Sequence, residues 1–187
     1  MSKTIEIAIR ANKWKEARLL IRAELRRNPE SHWLLTRLSL TYYEQYDYRR
    51  ALSYSRRALQ LAPHCPLVLW DYAGDLDMLG QKKTAMKIYH KLIRRGTRSI
   101  AHDECGEGLA RARGLVADSF YRLAHCHLDL GQHREAVACL RKHLRLRGSG
   151  CQSIYPSGGV RKELKKLAIR SIARRPASRR GVVHLKQ

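Results

Sequence analysis

Ala17, Ala51 and Ala85 are spaced by 34 residues, and Pro29 and Pro63 keep the same interval. A fixed period of that length marks a chain built from stacked supersecondary units, each too small to bury its own apolar face. Within a period the apolar residues recur at i, i+3 and i+4, the spacing of one helical face. Leu79-Gly80 and Leu130-Gly131 supply turns between two such runs. Small residues at Ala17, Ala51, Ala58, Ala85, Ala124 and Ala136 let the paired helices approach closely, while Leu, Tyr and Ile fill the space between them. The pattern predicts helices near 3–11, 13–28, 31–45, 47–61, 65–79, 81–95, 113–130, 132–146 and 159–173, and no strand.

In the unit from His32 the repeat positions hold Leu35, Leu38, Ser39, Tyr42, Ala51, Ser55, Ala58 and Pro63. In the unit from Pro66 they hold Leu69, Tyr72, Ala73, Leu76, Ala85, Tyr89 and Leu92, and in the unit from Ala117 they hold Phe120, Leu123, Ala124, His127, Ala136, Leu140 and His143. This arrangement resembles the tetratricopeptide repeat, a 34-residue helix-turn-helix unit, over about three quarters of the chain. Ser55 departs from the aromatic usual at its place, and the stretch ending at Pro29 is a truncated, cap-like unit. The resemblance implies an all-α fold: a short right-handed α-solenoid of about 3.5 hairpins with a C-terminal capping helix.

The frame is broken once, because Ala85 to Ala136 is 51 residues, 17 more than one period. The extra residues, near 97–113, predict a loop followed by a lengthened first helix free to project from the solenoid. The expected organisation is a solenoid over 1–147 with this insertion, a Gly/Ser/Pro linker over 148–158, a capping helix over 159–173 and a basic tail over 174–187, mobile without a partner.

Charge separates by helix. The chain carries 38 Lys+Arg against 16 Asp+Glu, a formal net charge of +22. First helices of the three full units sum to about −4 and second helices to about +13. In tetratricopeptide folds first helices line a concave groove and second helices form the convex back, so the resemblance implies an acidic groove and a basic back. The back carries Arg49 and Arg56, then Lys83, Lys87, Lys91 and Arg94, then Arg141 and Lys142; the tail adds Arg174, Arg175, Arg179 and Arg180. Such rows suit a phosphate backbone, gripped without base readout. A solvated helix face has the same composition.

The groove positions carry Trp33, Thr36, Leu40 and Tyr43 in one unit, Trp70, Asp71 and Asp77 in the next, and Asp118, Tyr121, His125 and Asp129 in the last. Rings beside carboxylates suit a peptide bearing Lys or Arg. Trp33 covering the preceding unit and Trp70 in the core is the competing structural reading.

The sequence contains no phosphate-binding glycine loop, dinucleotide fingerprint, nucleophile elbow or zinc-protease motif. His102 with Cys105, the run His125-Cys126-His127, and Cys139 with His143 lack metal-site spacing; His143 stands where a small packing residue is usual, pointing to a structural role. No metal, cofactor or catalytic residue is expected. Five cysteines without a framework predict free thiols, and the absence of a long apolar run or an apolar leader predicts a soluble, cytoplasmic chain that does not enter a membrane. The function expected is a non-catalytic protein–protein interaction adaptor or chaperone-like module holding a partner segment with basic residues in the groove. The alternative is an RNA- or DNA-associated protein gripping phosphates through its back and tail.

Overall fold

The structure is a computed structural model that describes residues 2–148 and 151–173, with side chains described as far as residue 168. The basic tail, with Arg174, Arg175, Arg179 and Arg180, lies outside the described residues. Nine helices and no strand occur among the described residues: α1 Lys3–Arg10, α2 Trp14–Arg27, α3 His32–Tyr43, α4 Tyr48–Leu61, α5 Pro66–Met78, α6 Lys82–Ala101, α7 Gly108–Asp129, α8 His133–Arg147 and α9 Ser157–Ala173. No helix among them is long and apolar enough to cross a membrane.

The period reappears in the backbone itself. Asn12, Tyr46, Gly80 and Gly131 take positive φ values of 56°, 63°, 78° and 72° at the ends of α1, α3, α5 and α7. At each end the following residue's N–H bonds back to a carbonyl five residues earlier: Lys13 to Ala8 (2.9 Å), Asp47 to Tyr42 (3.0 Å), Gln81 to Leu76 (2.9 Å) and Gln132 to His127 (2.8 Å). This is the Schellman ending, which satisfies orphan carbonyls and turns the chain sharply into the next helix. Glycine meets its left-handed requirement in the last two turns, whereas Asn12 and Tyr46 adopt it with a Cβ.

Close approach of the helices rests on the alanines. Ala17, Ala51, Ala85 and Ala136 are each 0% exposed, and the apolar residues around them form a row of adjoining clusters rather than one central core. Helix starts are fixed locally: Ser31 Oγ accepts from Leu34 N–H, Asp47 Oδ1 accepts from Arg50 N–H, and Pro66 occupies the first turn of α5.

The insertion differs from its expected form. Helix continues from Thr97 to Ala101, after a break at Gly96 (φ 76°, ψ 164°), and the non-helical part is confined to 102–107. α7 then begins at Gly108, and its added turns pack back instead of projecting: Ala112 and Val116 are buried against Leu69, Leu92, Ile100 and Ala101. Four apolar neighbours make folding back favourable, since projection would leave those side chains in water. At the C-terminal end Val160 and Leu167 of α9 join Cys139 and Leu140 of α8 in one cluster, so α9 covers the flank of the last hairpin.

Candidate functional site

α3, α5 and α7 line the concave side, and the insertion and residues 152–154 close around it. Between them lies a cavity of about 460 Å³ bordered by Leu40, Glu44, Trp70, Asp71, Glu107 and Arg111 among others. A smaller space of about 90 Å³ continues beneath it, past Tyr43 and Gly74 to Arg122 and Ile154. Leu40, Trp70 and Asp71 border both spaces, and Tyr43 borders the smaller one. Asp71 is half-buried, and burial pushes its carboxyl up to about 7; Asp75 adds to the rise, and Arg37 and Arg122 oppose it.

The remaining groove residues are engaged within the chain. Thr36 is buried and its hydroxyl donates to the His32 carbonyl at 2.5 Å. Trp33 packs on the N-terminal cluster, with the Arg37 guanidinium 5.6 Å from its ring centre. Asp77 is 3% exposed and pairs with Lys82 at 2.6 Å and with Arg122 at 3.7 Å, while the Cys126 thiol donates to it at 3.5 Å. Asp129, exposed at the rim, meets the same Lys82 ammonium at 2.6 Å. Asp77 is therefore an internal tie between hairpins, not an acid presented to a ligand.

The C-terminal third of the concave face is occupied by residues 151–155, which run along α7. Asp118 is buried beneath them; its carboxylate accepts the Ser153 hydroxyl and the Ile154 N–H, the latter at 3.1 Å. Burial raises the Asp118 carboxyl despite these bonds. Tyr155 stacks on Tyr121 with ring centres 3.9 Å apart, and His125 meets Glu163 of α9 at 3.4 Å. Gly114 permits this approach, since a Cβ there would lie 1.6 Å from the Gln152 carbonyl oxygen. His143 is fully buried and its Nδ1–H donates to the Ala117 carbonyl at 2.9 Å, which fixes the neighbouring turn of α7.

Several site residues have no signal in the repeat pattern. Glu44 ends α3, Glu107 and Arg111 come from the insertion, and Arg122 of α7 borders the smaller space and donates to the Tyr43 hydroxyl. Ile154 and Tyr155 belong to a stretch that reads as linker.

Arg49, Arg56, Lys83, Lys87, Lys91, Arg94, Arg141 and Lys142 are all exposed, on α4, α6 and α8. Lys142 stands 5.3 Å from the Phe120 ring centre. Partial burial lowers the His90 imidazole between these rows, and the positive neighbours His127, Arg94 and Lys142 lower it further.

Residues 117–149 match the tetratricopeptide repeat as a family. No curated protein matches the chain. Among solved structures, the apo form of RapI is 15% identical with a TM-score of 0.71, over 90% of this chain and 62% of that one. TTC0263, a thermophilic tetratricopeptide-repeat protein of Thermus thermophilus, is 15% identical with a TM-score of 0.62, over 88% of this chain and 78% of its own. MamA from Desulfovibrio magneticus RS-1 is 14% identical with a TM-score of 0.57, over 94% and 99%. At such identities the likeness is one of fold: the chain has the fold of a tetratricopeptide-repeat solenoid, with one repeat matched at residues 117–149.

Proposed function

We propose that the chain is a non-catalytic protein–protein interaction adaptor that holds a partner segment in the open part of its concave groove. The observation that carries this reading is the cavity between α3, α5 and the insertion, where Leu40, Tyr43 and Trp70 offer apolar and aromatic surface beside the Glu44 and Asp71 carboxylates. Arg37 is engaged by Glu6 at 2.8 Å, Arg111 by Glu107 at 3.7 Å and Arg122 by Asp77 at 3.7 Å, which leaves Glu44, and Asp71 once ionised, as acids facing the space. A Lys or Arg side chain fits that combination, its stem on the rings and its charge on the acids.

Residues 151–155 supply a worked instance of how this face takes an extended chain. A backbone N–H reaches a carboxylate at Asp118, and a ring stacks on Tyr121. A partner segment entering beside Ile154 continues the same line toward Asp71. Binding of short Lys/Arg-containing peptides is to be compared with that of matched peptides in which Glu replaces the cations. The basic series binds more tightly, and Asp71→Lys with Glu44→Lys removes the difference; equal binding of both series by the unaltered chain contradicts the reading.

A second reading is favoured by the exposed cationic rows on α4, α6 and α8. There the back grips a polyanion such as RNA or DNA through phosphates, without base readout. The two readings use different residues and can hold together.

A further inference from the structure

The insertion carries Cys105 to a place where two other metal-ligating residues already stand. His32 opens α3, Cys65 immediately precedes α5, and the Cys105 Sγ lies 3.3 Å from His32 Nε2. One ligand atom from each of the three residues falls within 4.8 Å of the other two. Around a tetrahedral ion with metal–sulfur and metal–nitrogen bonds of about 2.3 and 2.0 Å, neighbouring ligand atoms stand about 3.5–3.8 Å apart, so the cluster needs little adjustment to close on one ion.

The surroundings hold this geometry. The Asp103 carboxylate accepts the Cys105 backbone N–H at 3.0 Å and pairs with Arg95, whose guanidinium also donates to the His64 carbonyl at 2.5 Å, one residue from Cys65. One arginine thus braces the segments bearing both thiols. Gly106 makes the turn tight enough, since a Cβ there would lie 2.5 Å from the Ala101 carbonyl oxygen. Leu59, Ala62 and Leu67 pack about the cysteines, while His32 and Cys105 remain half exposed and reachable from solvent.

We propose that His32, Cys65 and Cys105 bind one zinc ion, with a solvent molecule in the fourth position. Two thiolates and one imidazole are a borderline-soft donor set that suits Zn²⁺ and disfavours Mg²⁺ or Ca²⁺. The ion clips the insertion to the starts of two earlier first helices, which gives a reason for the break in the repeat: the added residues deliver the third ligand. Each ligand comes from a different unit, so no local spacing in the sequence announces the site. The proposal does not rest on what the groove or the back binds, although Cys105 also borders the groove cavity.

The test is titration of the reduced full-length chain with Co²⁺ as a spectroscopic stand-in, followed by Zn²⁺ competition. One Co²⁺ per chain is expected, with thiolate-to-metal charge-transfer and tetrahedral d–d absorption that Zn²⁺ abolishes. Cys105→Ser and His32→Gln, both at half-exposed positions, are read with helical circular dichroism as a check on folding. Each weakens the metal by more than the roughly 10–100-fold that an outer-shell change costs, and Asp103→Asn falls within that range. Cys139→Ser leaves binding unchanged. The proposal is overturned if the reduced chain develops no thiolate charge-transfer band, or if the band keeps its affinity in both Cys105→Ser and His32→Gln.

Discussion

Asp75 is 1% exposed, and its carboxylate accepts the Ser55 hydroxyl at 2.5 Å and the Ser39 hydroxyl at 3.1 Å. Burial nevertheless pushes it up to about 6, the two serines opposing the rise. Its folded value lies above that of an unfolded aspartate, about 3.9. The resulting stability is therefore full below about pH 4 and lost as pH rises through about 6. Asp75→Asn should shrink the loss of stability between about pH 4 and pH 7 by on the order of 2 kcal/mol, measured by denaturant unfolding at both values. The same serine explains the departure at the repeat's aromatic position: Ser55 leaves room for a polar pair whose other half lies 20 residues away on the next hairpin. Asp71 gives a second pH effect. A cation arriving at its carboxyl must displace a proton held to about 7, so basic peptides should bind more tightly at about pH 8 than at about pH 6. A titration calorimeter run in buffers of different ionisation enthalpy should detect the proton released, and Asp71→Asn should abolish the dependence.

Among the elements, the hairpins were largely legible in the sequence, because alanine spacing and helix periodicity both follow from close helix contact. Leu79-Gly80 and Leu130-Gly131 announce their turns, while Tyr46 takes the same left-handed turn with no sequence cue. What could not be read was where the irregular segments go. Residues 151–155 read as linker by composition, yet they cover Tyr121 and Asp118, because a flexible segment's resting place depends on a surface remote in sequence. Seven of the eleven expected groove residues are engaged within the chain, Asp118 and Tyr121 among them by this segment. Gly114 tests this arrangement. Its substitution by Ala drives a Cβ into the Gln152 carbonyl, so residues 151–155 should lift from α7 at a cost of about 1–3 kcal/mol. A lower melting temperature together with faster proteolytic cleavage near Tyr155 is the expected result, and Gly158→Ala, where no atom lies within 4 Å, is the control.

For the whole molecule, the cavity bordered by Leu40, Glu44, Trp70 and Asp71 draws on α3 and α5, and the exposed cations stand on α4, α6 and α8. If the back binds a polyanion, affinity should fall with salt at a slope of about −0.7 to −0.9 per neutralised phosphate. Lys87→Glu with Lys91→Glu should flatten that slope equally on unrelated nucleic-acid sequences. Anion binding should also relieve the positive field on His90 and raise its titration, read by nuclear magnetic resonance. A slope unchanged by the double reversal would leave the back as a solvated face. The groove is the central claim, and hydrogen exchange of the chain with and without a bound basic peptide tests it most directly. Protection is predicted in α3, in α5 and at residues 104–107 and 152–154, with α4, α6 and α8 unaffected; protection confined to α4, α6 and α8 would contradict the account.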